Sequence, residues 1–280
     1  MTRRGFTLTE LIIGMLVMGI VGVGLTRILI SNSRFVSRQD AMMEARGTSR
    51  AAVQSMVAEL HMVSDSGLRA ASRDSVTVRV PYAFGTACRT SGSTTVVSMM
   101  PADSLMYAGA VVEGMAWRDA LTGTYGLFIT GITVATSSNT AACTADSIRV
   151  IPGGRLMQLS GIPGPSVPPS GSLFYLYQTV TYKFATSVDV PGRRGLWRKA
   201  GAGAYEELAA PFDSSARFAF LLGPFMSLDS RASIGTQAAR DSVRGLLLRL
   251  TGQSINPPQG DARPYTFDLR TSVAFMNKVY

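Results

Sequence analysis

One long apolar run dominates the alternation of hydrophobic and polar positions. From Leu11 to Ile30 the chain reads LIIGMLVMGIVGVGLTRILI, broken only by glycines, Thr26 and Arg27. A hydrocarbon core about 30 Å thick takes about 20 helical residues to cross, and the run has that length at about 1.5 Å per residue. Thr26 can bond back to its own helix. Arg27 sits near the far end, where its stem stays in lipid while its head snorkels to the interface. From Ser31 to Ser66 there is no proline. Ala41, Met42, Met43, Ala45, Ala51, Ala52, Met56, Ala58 and Leu60 are mostly good helix formers. Val53, Met56, Leu60 and Val63 recur at helical spacing, while Arg50, Gln54 and Glu59 take other faces. The pattern predicts one rod over residues 6–66, about 90 Å long, with a stop at Gly67. Residues 6–30 would lie in a membrane, and residues 31–66 would lend an apolar stripe to a globular head.

After Gly67 the period changes. Val76–Val80 alternates and is expected to end at Pro81; Thr94–Met100 is β-rich and runs into Pro101. Leu127–Val134 reads as a strand, and Ser147–Ile151 with Arg155–Leu159 reads as a hairpin around Pro152-Gly153-Gly154. Residues 161–172, GIPGPSVPPSGS, are too rich in proline for either regular element and form a loop. Leu173–Phe184, LFYLYQTVTYKF, is the strongest strand, its tyrosines suited to a pleated surface. Gly195–Arg198 and Tyr205–Leu208 form a further hairpin around Gly201-Ala202-Gly203, and Ala216–Leu222, Val243–Leu250 and Thr266–Met276 complete the set. The fold class is α+β, a long N-terminal helix packed on a mainly antiparallel β head covering residues 67–280.

The segment before the apolar run is more specific. Arg3 and Arg4 precede it, which favours a cytoplasmic N-terminus, although Arg27, Arg34 and Arg38 put positive charge on the other flank as well. An ordinary secretory signal has a small-x-small cleavage site after its apolar core, and no convincing one follows here. Glu10 is out of place at the bilayer edge, where an ionisable group marks a functional candidate. Arg3-Arg4-Gly5-Phe6-Thr7-Leu8-Thr9-Glu10-Leu11 resembles the cleavage and methylation signal of type IV prepilins and type II secretion pseudopilins. The resemblance implies a leader of residues 1–5, cleavage between Gly5 and Phe6 by a membrane peptidase, and N-methylation of Phe6. Glu10 would then be fifth in the mature chain, and its carboxylate would meet the N-terminal amine of a neighbouring subunit. The alternative for Glu10 is a helix cap that favours the dipole. Gly14, Gly19, Gly22 and Gly24 weaken a helix interior. In filaments of this kind a segment near that depth can lose its helix, which points to Gly19–Gly24; close packing through small residues is the other reading.

Composition adds less. The 280 residues are 46% hydrophobic and 16% charged, which suits one membrane helix and one soluble domain. The net charge of +9 falls to about +7 when Arg3 and Arg4 leave with the leader. The basic residues are scattered, apart from Arg193-Arg194 with Arg198-Lys199, so the charge reads as a solvated surface and nucleic-acid contact as the lesser option. Cys88 and Cys143 fall outside the cytoplasm under the topology above, where disulfides persist. A bridge between them is one expectation, two buried thiols the other. The bridge would staple residues 83–146, a region rich in Ser, Thr, Gly and Ala.

No catalytic constellation is present in the sequence. Its one histidine, His61, stands on the predicted helix without a Cys, Asp or Glu cluster, which argues against a metal site or a Ser-His-Asp triad. There is no phosphate-binding glycine loop, Gly201-Ala202-Gly203 lacks the third glycine of a dinucleotide site, and Asp213, Asp229 and Asp241 are too widely spaced for one calcium loop. Over the last third, VTYKF, GLWRKA, ARFAFLL, VRGLLLRLTG and LRTSVAFMN are similar to the C-terminal half of W-type minor pilins and J-type minor pseudopilins. Trp197 stands where tyrosine is commoner, and Met276-Asn277 keeps only the Asn of a terminal Arg-Asn pair. These resemblances imply a minor structural subunit without enzymatic activity or cofactor, single-pass in the inner membrane with its head outside the cytoplasm, then in a pilus or pseudopilus. Implied partners are the prepilin peptidase-methylase, other minor and major subunits, the inner-membrane assembly platform and the lipid bilayer. The alternatives are a signal-anchored periplasmic enzyme and a DNA-capturing tip subunit.

Overall fold

The structure, a computed structural model of the chain, describes residues 7–101, 112–123, 129–150, 152–162, 167–276 and 278. Its first element is α1, Leu8–His61, one helix of 54 residues and about 80 Å long at the usual rise. It runs unbroken through Gly14, Gly19, Gly22 and Gly24. Only its second half meets the head. Ala41, Ala45, Ser49, Ala52, Met56 and Leu60 are buried at every third or fourth position, one stripe of helical surface.

The strands are β1 Leu68–Ala71, β2 Ser75–Ser91, β3 Thr94–Met99, β4 Gly114–Trp117, β5 Ile129–Thr130, β6 Thr133–Thr136, β7 Arg155–Ser160, β8 Leu173–Thr186, β9 Arg194–Ala200, β10 Glu206–Phe212, β11 Arg217–Leu222, β12 Ser227–Asp229, β13 Val243–Gln253 and β14 Thr266–Ala274. They join in one antiparallel sheet with the path β12-β11-β13-β10-β9-β8-β2-β3-β7-β6, while β14 pairs with β13, β1 with β2, and β4 with β8 and β5. The α+β architecture is therefore a long helix on a mostly antiparallel sheet. Its spine is the pair β2 and β8, in register from Ser75 opposite Lys183 to Thr86 opposite Leu173.

Two cores share that spine. At one end Met56 and Leu60 of α1 pack with Val78, Tyr182, Phe184, Phe218, Leu248 and Leu250. At the other, Met99, Met115, Trp117, Leu159, Phe174 and Leu176 form a separate cluster. Cys88 of β2 and Cys143 of the short helix Ala141–Thr144 are joined by a disulfide, Cα atoms 4.6 Å apart, packed with Val96 and Leu156. The same two strands carry both cores.

The docking of α1 is close. Ser49 Oγ donates to the Leu250 carbonyl at 3.2 Å and accepts from the Gly252 N–H at 3.1 Å. A Cβ at Gly252 would run into the Ala45 carbonyl oxygen and Ser49 Oγ, the close backbone approach that glycine permits in a strand. Nearer the apolar half, the β13–β14 loop grips the helix. Ser33 Oγ donates to Gln259 Oε1 at 2.6 Å, the Gln259 N–H donates to Ser37 Oγ at 2.9 Å, Arg38 pairs with Asp261 at 3.0 Å, and the Ile255 N–H donates to Glu44 at 3.2 Å.

Several boundaries differ from the sequence pattern. The helix stops at His61, short of Ser66, because Val63 and Ser64 turn inward to bury and Ser64 Oγ shares a 2.6 Å hydrogen bond with the Tyr175 hydroxyl. Pro81 does not end its strand. β2 continues to Ser91, with the register against β8 slipping between Pro81 and Ala83, the kind of irregularity at which a sheet accepts a residue lacking an N–H. Residues 147–150 form no strand, Ile151 lies outside the described residues, and β7 pairs instead with β3 and β6, so among the described residues no hairpin surrounds Pro152-Gly153-Gly154. Leu127 and Phe128 lie outside the described residues, and the remainder of that segment is split into β5 and β6 at Gly131, whose φ is 74°. The short helix Gln237–Asp241 falls in a stretch read only as polar.

Lys278 is buried, its ammonium donating to the carbonyls of Arg240 and Asp241 at 3.2 and 3.3 Å at the end of that short helix. Burial pushes its pKa down to about 8. The unfolded chain then holds this proton more tightly than the folded one, so stability rises with pH between the two values. The midpoint of chemical unfolding of the full chain in detergent is expected to climb from pH 8 to pH 10, and Lys278→Met to flatten that climb. Gly252→Val is expected to cost about 1–3 kcal/mol by overpacking the helix contact, read from the same midpoint at fixed pH.

Candidate functional site

The N-terminal end of α1 is built by its own sequence. Thr7 is the N-cap: its hydroxyl accepts from the Glu10 N–H at 3.3 Å, and Glu10 Oε2 accepts from the Thr7 N–H at 2.9 Å. This reciprocal arrangement is a capping box and satisfies two of the helix's free donors. Glu10 and Thr7 are exposed, and the Glu10 carboxylate bonds only to Thr7 among the described residues. Gly5 and Phe6, where cleavage and methylation are expected, lie outside the described residues. The T-x-x-E spacing was readable in the sequence, yet only the acid was singled out there.

From Leu8 to Ile30 every side chain is exposed. The helix is long and apolar enough to cross a membrane, and none of that apolar window is buried by the head. A continuous apolar surface of this size marks a membrane or association surface. A Cβ at Gly14, Gly19, Gly22 or Gly24 would meet nothing within 4 Å, so no contact among the described residues calls for glycine there. Thr26 Oγ1 donates to the Gly22 carbonyl at 2.8 Å.

The basic cluster is pulled apart by intramolecular partners. Arg193 donates to Gln253 Oε1 at 3.2 Å, and Arg194 pairs with Asp74 at 2.6 Å while donating to the Ser214 carbonyl at 3.0 Å. Arg198 grips Glu59 of α1 with two bonds, at 2.7 and 3.3 Å, and the Tyr182 hydroxyl donates to the same carboxylate. Burial would lower the Arg198 guanidinium, but the hydrogen bond and charge of Glu59 more than reverse this and hold it above its ordinary value. Burial first, then the Glu59 charge, pushes the Tyr182 phenol well up, so it keeps the proton it donates. This trio ties the helix to β8 and β9. His61 Nδ1 lies 2.9 Å from the Ala274 carbonyl, a tie to β14. Among the described residues no three His, Cys, Asp or Glu side chains come together as metal ligands.

Residues 1–26 match the model of the family described as the prokaryotic N-terminal methylation motif. The match supports a place in the type IV prepilin-like family, whose members are structural rather than catalytic, and it agrees with a membrane-anchored chain processed by a prepilin peptidase. Neither the curated proteins nor the solved structures gave a match to the chain.

The Glu59 side chain is 24% exposed and that of Arg198 22%, between a surface pair and a buried one. Glu59→Ala is therefore expected to cost about 2 kcal/mol, between the exposed-pair and buried-pair values. Glu59→Gln, which still accepts from Tyr182, should cost about half as much. Urea unfolding of the full chain in detergent measures both.

Proposed function

We propose that this chain is a minor pilin or pseudopilin, a structural subunit of a type IV pilus or a type II secretion filament. The observation that carries the reading is the methylation motif continuous with an apolar helix half that the head leaves entirely bare. A prepilin peptidase-methylase cuts between Gly5 and Phe6 and methylates the new amine. The helix lies first in the inner membrane, N-terminus inward and head outside, and then among the helices of a filament. The large head supports a minor subunit over one repeated along a thin fibre, and with it a role in priming or tip assembly.

Glu10 is proposed as the register device. Its carboxylate sits at the exposed start of α1 with only Thr7 as partner among the described residues, so a neighbour's N-terminal amine can compete for it without disturbing the head. In bundled apolar helices the exchange replaces a solvated cap by a charge pair, and a packing that leaves either buried charge without its partner is strongly disfavoured. Nucleic-acid capture draws no support from Arg193, Arg194 and Arg198, each already engaged inside the subunit.

Glu10→Ala tests the reading in cells. The variant is expected to be processed and membrane-inserted like the wild type, with an unchanged head. It should be missing from sheared or secreted filament fractions and from cross-links to other subunits. Wild-type incorporation of the variant would remove the assembly role from Glu10.

A further inference from the structure

The solvent face of the sheet carries a row of like charges. In the register of β11, β13 and β14, Arg217 stands opposite Arg249, and Arg249 opposite Arg270. All three share the face turned away from α1, because Phe218, Leu248 and Leu250 beside them point into the core. Directly opposed side chains in antiparallel strands have Cβ atoms about 5 Å apart, and like charges there repel. Arg270 has a carboxylate beside it, Asp268 at 2.9 Å; across β11, Arg231 has Asp229 at 2.6 Å. The side chains of Arg217 and Arg249 have neither ion pair nor hydrogen bond among the described residues, although both residues are half-buried. The Arg249 Nε is fully sequestered and has no acceptor. A buried donor of a charged group left unpaired is costly, and two adjacent guanidiniums without a counter-charge compound the cost.

These two arginines line two adjoining depressions of about 300 and 160 Å³. Ser215 and Thr251 border the larger one, Ser215 donating to Thr251 at 3.0 Å and Thr251 to Asp268 at 3.2 Å. We propose that Arg217 and Arg249 form a binding site for one compact oxyanion of the phosphate or carboxylate class. Two guanidinium forks present parallel N–H pairs that match such a group, and its charge supplies what the row lacks. Asp268 lines the larger depression and Asp229 the smaller, each paired with its own arginine, Arg270 and Arg231. The two carboxylates repel the next charges of a polyanion, so the site favours a single oxyanion over a nucleic-acid backbone. The site lies on the head and does not depend on the filament reading.

The test is thermal unfolding of the full chain in detergent, with inorganic phosphate replacing chloride at constant ionic strength and pH. A ligand that binds only the folded state raises the midpoint saturably. Arg217→Gln and Arg249→Gln should each weaken phosphate by about tenfold or more. Arg249→Lys, which keeps the charge but loses the fork, should weaken it too, and Arg263→Gln, elsewhere on the surface, should not. Arg217→Gln should also raise the ligand-free midpoint by relieving the repulsion. Acetate in a parallel arm tells a carboxylate source from a phosphate one. If Arg249→Gln does not fold, Arg217→Gln and Arg249→Lys carry the comparison. The proposal is overturned if neither anion shifts the midpoint, or if the shift survives in the Arg217 and Arg249 variants. Duplex DNA binding far more tightly than phosphate, with steep salt dependence, would also overturn it.

Discussion

Small side chains on one face of α1 let its backbone approach β13 closely enough for Ser49 to exchange hydrogen bonds with Leu250 and Gly252. The helix-side core of the head depends on that contact. It fixes how far Met56 and Leu60 reach into the core, and it brings Glu59 within reach of both Tyr182 and Arg198. It also sets the line along which the β13–β14 loop meets Ser33, Ser37 and Arg38. A larger residue at Gly252 would have to lift the helix, and each of those contacts with it.

The same helix serves two surroundings, and the division between them is sharp. Beyond the grip of the loop at Ser33, no side chain of the apolar half is covered. Water is a poor environment for such a surface, so the half before Ile30 requires lipid or other helices. The capping box at Thr7 and Glu10 keeps the helix end ordered without committing the acid to the head. An exposed carboxylate whose only partner among the described residues is its own helix start is free to change partners, which the proposed assembly role requires.

Much of this was legible in the sequence where the physics is local. The apolar run and the acid at Glu10 announced the membrane half, and alternation located β8, the β9–β10 hairpin, β13 and β14. The misreadings came where tertiary contacts override local preference. Pro81 looked like a strand end, but the long pairing of β2 with β8 carries the strand past it through a register slip. The stretch at 147–150 looked like a strand, but β7 finds its partners in β3 and β6. Gly252 gave no signal at all, since only the approach of Ala45 and Ser49 explains it. Arg193, Arg194 and Arg198 looked like a patch because they are close in sequence. Arg217, Arg249 and Arg270 do form a row, and pairing alone makes it visible.

The most direct test of the account is the intact mass and N-terminal sequence of the protein isolated from membranes. The account predicts a chain that begins at N-methylated Phe6, with α1 otherwise intact. A chain still beginning at Met1, or one cut beyond Ile30, would contradict it, because the bare apolar half would then be a plain anchor or a discarded signal rather than an assembly surface.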